Sequence, residues 1–216
     1  MIIQAKPIPF FVIKKGVQFL TWLFRGRFNK LVIKKTEVYK NHSYMLMSNH
    51  FGFWDGFWAC YLCINGIYES GNIKGFYIMI LEKQLQKNMF LRYFGCFSIA
   101  PGRASISESL DYAAQVLNTP GNVLLMYPQG NLESQYVRHI LVKEGIGEIT
   151  SRITGNCQLI WSSNFVEYFE SFKPSVYFNM LDCGTAKAFD INDFTQKINQ
   201  HHNGAMQKQF RFTHEI

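Results

Sequence analysis

The chain has 216 residues, 48% of them hydrophobic and 16% aromatic, which is enough for one domain with a sizeable core and too apolar for a disordered chain. Its formal net charge of +7 favours anionic partners: nucleic acid, anionic lipid or a phosphorylated co-substrate. No nucleic-acid motif is present, and the five scattered cysteines form no disulfide framework, so a nucleic-acid binder and a stapled secreted scaffold are set aside in favour of a protein of a reducing compartment.

The apolar run Ile8–Ile13 is too short for a secretory signal and lacks a small-residue cleavage site, and no stretch reaches the ~20 apolar residues of a membrane span. Ile13, Val17, Leu20 and Phe24 fall on one helical face, with Lys14, Gln18, Thr21 and Arg25 on the other. Together with Phe19, Trp22 and the cations Lys14, Lys15, Arg25, Arg27, Lys30, Lys34 and Lys35, they predict a helix lying in a membrane interface, the alternative being a helix packed on the domain's own core.

Leu31-Val32-Ile33 begins a strand, and a turn at Lys40-Asn41-His42 leads to a buried strand over Tyr44–Met47. A helix follows from about Phe53 to Cys63, ending at Asn65-Gly66. Cys60 and Cys63 belong to its core face rather than to a metal site, since no second pair stands at zinc-finger spacing. Next come a strand over Gly75–Ile80, a helix over Leu85–Tyr93, a strand within Phe94–Ala100 and a Pro101-Gly102 turn. An amphipathic helix over Ser105–Leu117 turns Ile106, Leu110, Ala113, Ala114 and Leu117 inward and stops at Asn118-Thr119-Pro120-Gly121. The strand Asn122–Met126, a polar loop to about Leu141, a helix over Glu148–Ile153, strands at Gln158–Trp161 and Ser175–Leu181 and a helix over Ile191–Gln200 complete the chain. His201-His202 reads as a solvated pair in a fraying tail. Strands alternating with helices predict an α/β fold: a mixed sheet flanked by helices, with the amphipathic helix in front.

The chemistry concentrates at Asn49-His50-Phe51-Gly52-Phe53-Trp54-Asp55-Gly56. Strand, turn and helix start bring His50 and Asp55 together at the carboxyl end of a strand, where open α/β sheets place their sites. Histidine titrates near neutrality and can take a proton from an alcohol, more readily when a carboxylate holds its other ring nitrogen. No Ser or Cys beside the pair reads as a nucleophile, so direct attack by a substrate hydroxyl suits it best. The plain alternative is a helix-capping histidine beside a surface aspartate.

Three further segments follow in order: Gly95-Cys96-Phe97-Ser98-Ile99-Ala100-Pro101-Gly102-Arg103, then Tyr127-Pro128-Gln129-Gly130, then Lys143-Glu144-Gly145. With His50 and Asp55 as an H-x4-D motif, residues 30 to 185 resemble the glycerolipid (1-acylglycerol-3-phosphate) acyltransferase family. The resemblance implies an O-acyltransferase on the cytoplasmic face of a membrane, peripheral and drawn to anionic lipid. It implies His50 as general base and Asp55 as its orienting partner. Arg103 and Gly95 would serve the acceptor's phosphate, with Tyr127, Pro128, Gln129 and Gly130 as the third, substrate-binding motif. The donor is acyl-CoA or acyl carrier protein, used as a co-substrate; no resident cofactor and no metal are implied. On this reading residues 1–30 are the membrane-surface helix, 31–200 the acyltransferase domain and 201–216 a polar tail.

The departures bear on the acceptor. Gln129 stands where the family usually has Glu, Leu132 where it often has a cation, and Cys157-Gln158-Leu159-Ile160-Trp161 lacks the prolines of the fourth motif. Lysophosphatidate-type lipids remain the leading acceptor. A phosphate-free lipid alcohol (an aminolipid or a pigment) and a catalytically silent lipid-binding protein stand as alternatives.

Overall fold

The computed structural model describes residues 2–169 and 171–209. Its strands are β1 (Leu31–Lys34), β2 (Ser43–Ser48), β3 (Gly75–Leu81), β4 (Cys96–Ile99), β5 (Asn122–Met126), β6 (Cys157–Glu167) and β7 (Ser175–Thr185). They form one mixed sheet in the order β1-β7-β6-β2-β5-β3-β4. β2 lies between β5 and β6, parallel to both, and β3 and β4 continue the parallel run. β7 is antiparallel to β6 and carries β1 parallel to itself. The mixed α/β reading therefore holds.

β2 is buried along its whole length because helices cover both faces of the sheet. Its side chains alternate. Tyr44 and Leu46 join the core beneath α1 (Phe10–Phe24), α2 (Asp55–Leu62) and α3 (Tyr68–Gly71). Met45 and Met47 join the core beneath α5 (Ile106–Leu117), α6 (Gly145–Arg152) and α7 (Ile191–Gln207).

Several elements differ from expectation, each for a local reason. The second helix does not stop at Asn65-Gly66. It passes through a π turn at Cys63–Ile67 into α3, because a side chain at Gly66 would lie 2.9 Å from the Met180 sulfur and glycine allows that close approach. Asn72, left-handed at φ 49°, ends it. The helix expected over Leu85–Tyr93 splits at Asn88 into α4 (Glu82–Lys87) and a 3₁₀ stretch over Met89–Phe94. β6 and β7 run beyond their expected ends because the polar residues Ser162, Ser163 and Asn164 are buried yet paired: Ser162 Oγ donates to Asn164 Oδ1 and Trp161 Nε1 to Ser163 Oγ.

α7 likewise continues to Gln207, which overturns the solvated tail pair. His202 is fully buried, its Nδ1 3.2 Å from Ser163 Oγ and its ring against Phe165, and burial pushes its pKa down to about 4. Residues 210–216 of the expected tail lie outside the described residues.

The amphipathic helix also departs from its expected orientation. Ile13 and Val17, read as its membrane face, pack with Phe10 onto the domain's own core. The opposite side of α1 is apolar too, and there Phe11, Phe19, Trp22 and Leu23 are exposed beside Lys15. A helix apolar on both sides has one side packed and one left for something else. Among the described residues no helix is long and apolar enough to cross a membrane.

Candidate active site

The carboxyl ends of β2, β5, β3 and β4 share one edge of the sheet, since these strands run parallel. His50 leaves β2 there. Asn49 fixes the exit: its side-chain amide donates to the Asn164 carbonyl 2.9 Å away and its Oδ1 accepts the Asn164 N–H at 2.8 Å, so it docks onto β6 as a strand residue would.

Asp55 opens α2 and is only 4% exposed. A single oxygen, Oδ2, accepts His50 Nδ1–H at 2.7 Å, Phe51 N–H at 2.7 Å and Gly52 N–H at 2.9 Å. The carboxylate thus holds both the imidazole and the turn that carries it. With Nδ1 donating to Asp55, the ring's lone pair is on Nε2, and the half-buried His50 side chain remains 27% accessible. That arrangement suits a proton acceptor whose charged form has a partner waiting.

Tyr127 stacks on the imidazole with centroids 4.1 Å apart and an interplanar angle of 17°, fixing the ring plane. Its hydroxyl is buried without a hydrogen-bond partner, and burial, followed by the charge of Asp55, raises its pKa well above 10. The phenol therefore stays neutral while its ring face supports an imidazolium.

Gln129 is buried behind this pair. Its Oε1 accepts the His50 backbone N–H at 2.8 Å, and its Nε2 donates to the Glu133 carboxylate in a short contact. Glu133 N–H in turn donates to the His50 carbonyl. This explains Gln rather than Glu at 129: a carboxylate there would face that of Glu133, and the amide serves one neighbour as acceptor and the other as donor. Pro128 is buried, and its carbonyl accepts Lys143 N–H. Gly130 is left-handed at φ 67°, and the Lys143 ammonium lies against it, 2.6 Å from where a β-carbon would be.

The chain folds like the 1-acyl-sn-glycerophosphate (LPA) acyltransferase PlsC from Thermotoga maritima. The two superpose with a TM-score of 0.62 at 14% sequence identity, over 94% of this chain and 81% of that one. No protein-family model and no curated protein matches the sequence. At that identity the likeness is one of fold.

The structure brings His50, Asp55, Tyr127, Gln129 and Gly130 together, with Pro128 in the turn behind them. It does not bring Gly95 to them. Gly95 precedes the amino end of β4, on the opposite edge of the sheet; its φ of 87° and a would-be β-carbon 2.0 Å from the Phe76 carbonyl make it a residue of close strand approach. Arg103 follows β4, on the His50 edge of the sheet but three strands along from β2. It is 64% exposed and pairs with Glu82 at 3.1 Å. Asn164 and Glu133 had no visible signal in the sequence, because each acts through a partner distant in the chain or through a loop without periodicity. Among the described residues no cluster of three metal-ligating side chains is present.

Proposed function

We propose that this protein is a membrane-surface O-acyltransferase that moves an acyl chain from an acyl thioester, on coenzyme A or acyl carrier protein, to the hydroxyl of a lysophosphatidate-type lipid. The observation that carries the proposal is the His50–Asp55 hydrogen bond of 2.7 Å at the carboxyl end of a buried parallel strand. The fold shared with an LPA acyltransferase adds support.

His50 Nε2 takes the acceptor's hydroxyl proton as its oxygen attacks the thioester carbonyl. Asp55 stabilises the imidazolium that forms. The tetrahedral oxyanion collapses, the C–S bond breaks, and the departing thiolate takes the proton back from His50. No step calls for a metal or a resident cofactor. The exposed rings Phe53 and Trp54 lie three and four residues past His50, and Trp54 meets Phe24, on the Ile13–Val17 side of α1, at 5.9 Å, so the site abuts the end of the helix whose opposite side is an exposed apolar surface. We place that surface on the cytoplasmic leaflet, peripherally, with anionic lipid as partner.

The engagement of Arg103 with Glu82 favours a second reading in which the acceptor lacks a phosphate. Lys143 weighs against it, since its ammonium supplies at Gly130 a cation that Leu132 does not. Thiol release from acyl-CoA with lysophosphatidate, and separately with monoacylglycerol, decides. Transfer to lysophosphatidate with a KM that rises about tenfold in Lys143→Met supports the first reading. Equal use of both lipids, unaffected by that substitution, supports the second. Transfer to neither rejects acyl transfer to glycerolipids.

A further inference from the structure

A cavity of about 340 Å³ opens where the end of α1 meets the start of β1 and the flank of α2. Arg25, Phe28, Asn29, Lys30, Leu31 and Tyr61 line it. None belongs to the His50 turn, and the volume is at the small end of the ~300–1,000 Å³ typical of ligand sites. Its charge is one-sided. Among the described residues no carboxylate lies within 4 Å of the Arg25 guanidinium or the Lys30 ammonium. Tyr61 is half-buried, its pKa raised by burial and drawn back by the Arg25 charge, which puts the guanidinium within electrostatic reach of the phenol. Phe28 is fixed edge-on against Trp58 at 5.0 Å, and Asn29 is tied to the β7 end through its N–H to the Pro174 carbonyl. Two cationic residues and a phenol thus line a half-open hollow whose Phe28 and Asn29 are held in place.

The neighbourhood indicates which anion suits it. Arg25 follows directly on α1, whose outward side carries the exposed Phe19, Trp22 and Leu23. A ligand with its anionic group in the cavity has an apolar path along that helix. We propose that this cavity binds the phosphate of a membrane lipid headgroup, docking the protein and directing the lipid's chains along α1. The inference rests on the membrane part of the function proposed above and does not depend on acyl transfer.

The test compares two charge-matched variants of the full chain: Arg25→Gln/Lys30→Gln in the cavity, and Lys15→Gln/Arg27→Gln outside it. All four side chains are exposed, so both variants keep the fold, which a thermal melt checks. Flotation uses phosphatidylcholine vesicles with and without phosphatidate. Diffuse attraction costs both variants alike, about fivefold per cation removed. A specific phosphate contact makes the cavity variant at least tenfold weaker than its control on phosphatidate vesicles. Glycerol 3-phosphate is the soluble arm: on titration, amide shifts confined to residues 25–32 and Tyr61 in wild type, absent in the cavity variant, are the expected result.

Equal losses in the two variants, with no localised shifts, overturn the site while leaving membrane binding standing. Localised shifts without a flotation difference would make the ligand a soluble phosphomonoester and overturn the lipid assignment. Wild type that floats on no vesicle rejects both the lipid assignment and the membrane part of the proposed function.

Discussion

Asp55→Asn perturbs the site without changing its shape. Asp55 Oδ2 accepts three donors within 2.9 Å, and an amide oxygen can occupy the same position. The negative charge goes. A hydrogen bond to a charged group contributes about 1 kcal/mol more than a neutral one, so the turn loses about 3 kcal/mol over the three. Catalysis loses more specifically the charge that faces the imidazolium. Two unit charges about 4 Å apart at an effective dielectric near 20 attract by about 4 kcal/mol, and the burial of Asp55 limits solvent screening. Converted to rate, that is about 10³-fold. The assay is thiol release from acyl-CoA with lysophosphatidate, with a melt run alongside. The variant should fold with a lowered Tm and turn over about 10³ times more slowly, with little change in KM. A folded Asp55→Asn protein within about threefold of wild type would refute the orienting role and reduce Asp55 to a clamp on its turn.

Other consequences follow from the same geometry. Gln129→Glu sets two carboxylates against each other and should cost about 1–3 kcal/mol at neutral pH, while Gln129→Glu/Glu133→Gln restores stability and activity; a double variant no better than the single one in urea unfolding refutes the paired arrangement. Buried neutral His202, with its pKa near 4 against about 6.5 unfolded, gives stability that is complete above pH 6.5 and lost as pH falls towards 4, about 3 kcal/mol in all; denaturation across that window should slope steeply in wild type and less in His202→Phe, and identical slopes would contradict it. On α1, Phe19→Ser/Trp22→Ser should abolish vesicle flotation and leave Tm unchanged, while Ile13→Ala should lower stability by about 2–5 kcal/mol; the reverse pattern would mean the two sides of the helix have been exchanged.

The strand–turn–helix around His50 was legible in the sequence because a continuous apolar run, a glycine and an aspartate at the helix start each constrain the backbone locally. β2 and α5 could be read for the same reason, the burial of the first being written in its unbroken apolar run and that of the second in its helical periodicity. What could not be read depends on contacts across the fold. Ser162, Ser163 and Asn164 look like the end of a strand until their partners are known. The inward side of α1 was identified, but not what it faces, since packing on a core and lying on a lipid surface demand the same pattern. Gly95 matches a substrate-binding motif by order in the chain, yet its glycine is required by the Phe76 carbonyl pressed against it. The replacement at 129 appeared as a loss of function-bearing charge and is an accommodation to Glu133.

The most direct test of the central claim is the rate of thiol release by His50→Ala with acyl-CoA and lysophosphatidate, measured on protein shown by circular dichroism to be folded. A positioned general base contributes ~10²–10⁴-fold, and release should fall by that factor and depend no longer on the acceptor. Wild-type release on acceptor addition, with His50→Ala within about twofold of it, would contradict His50 as the base that activates the lipid hydroxyl.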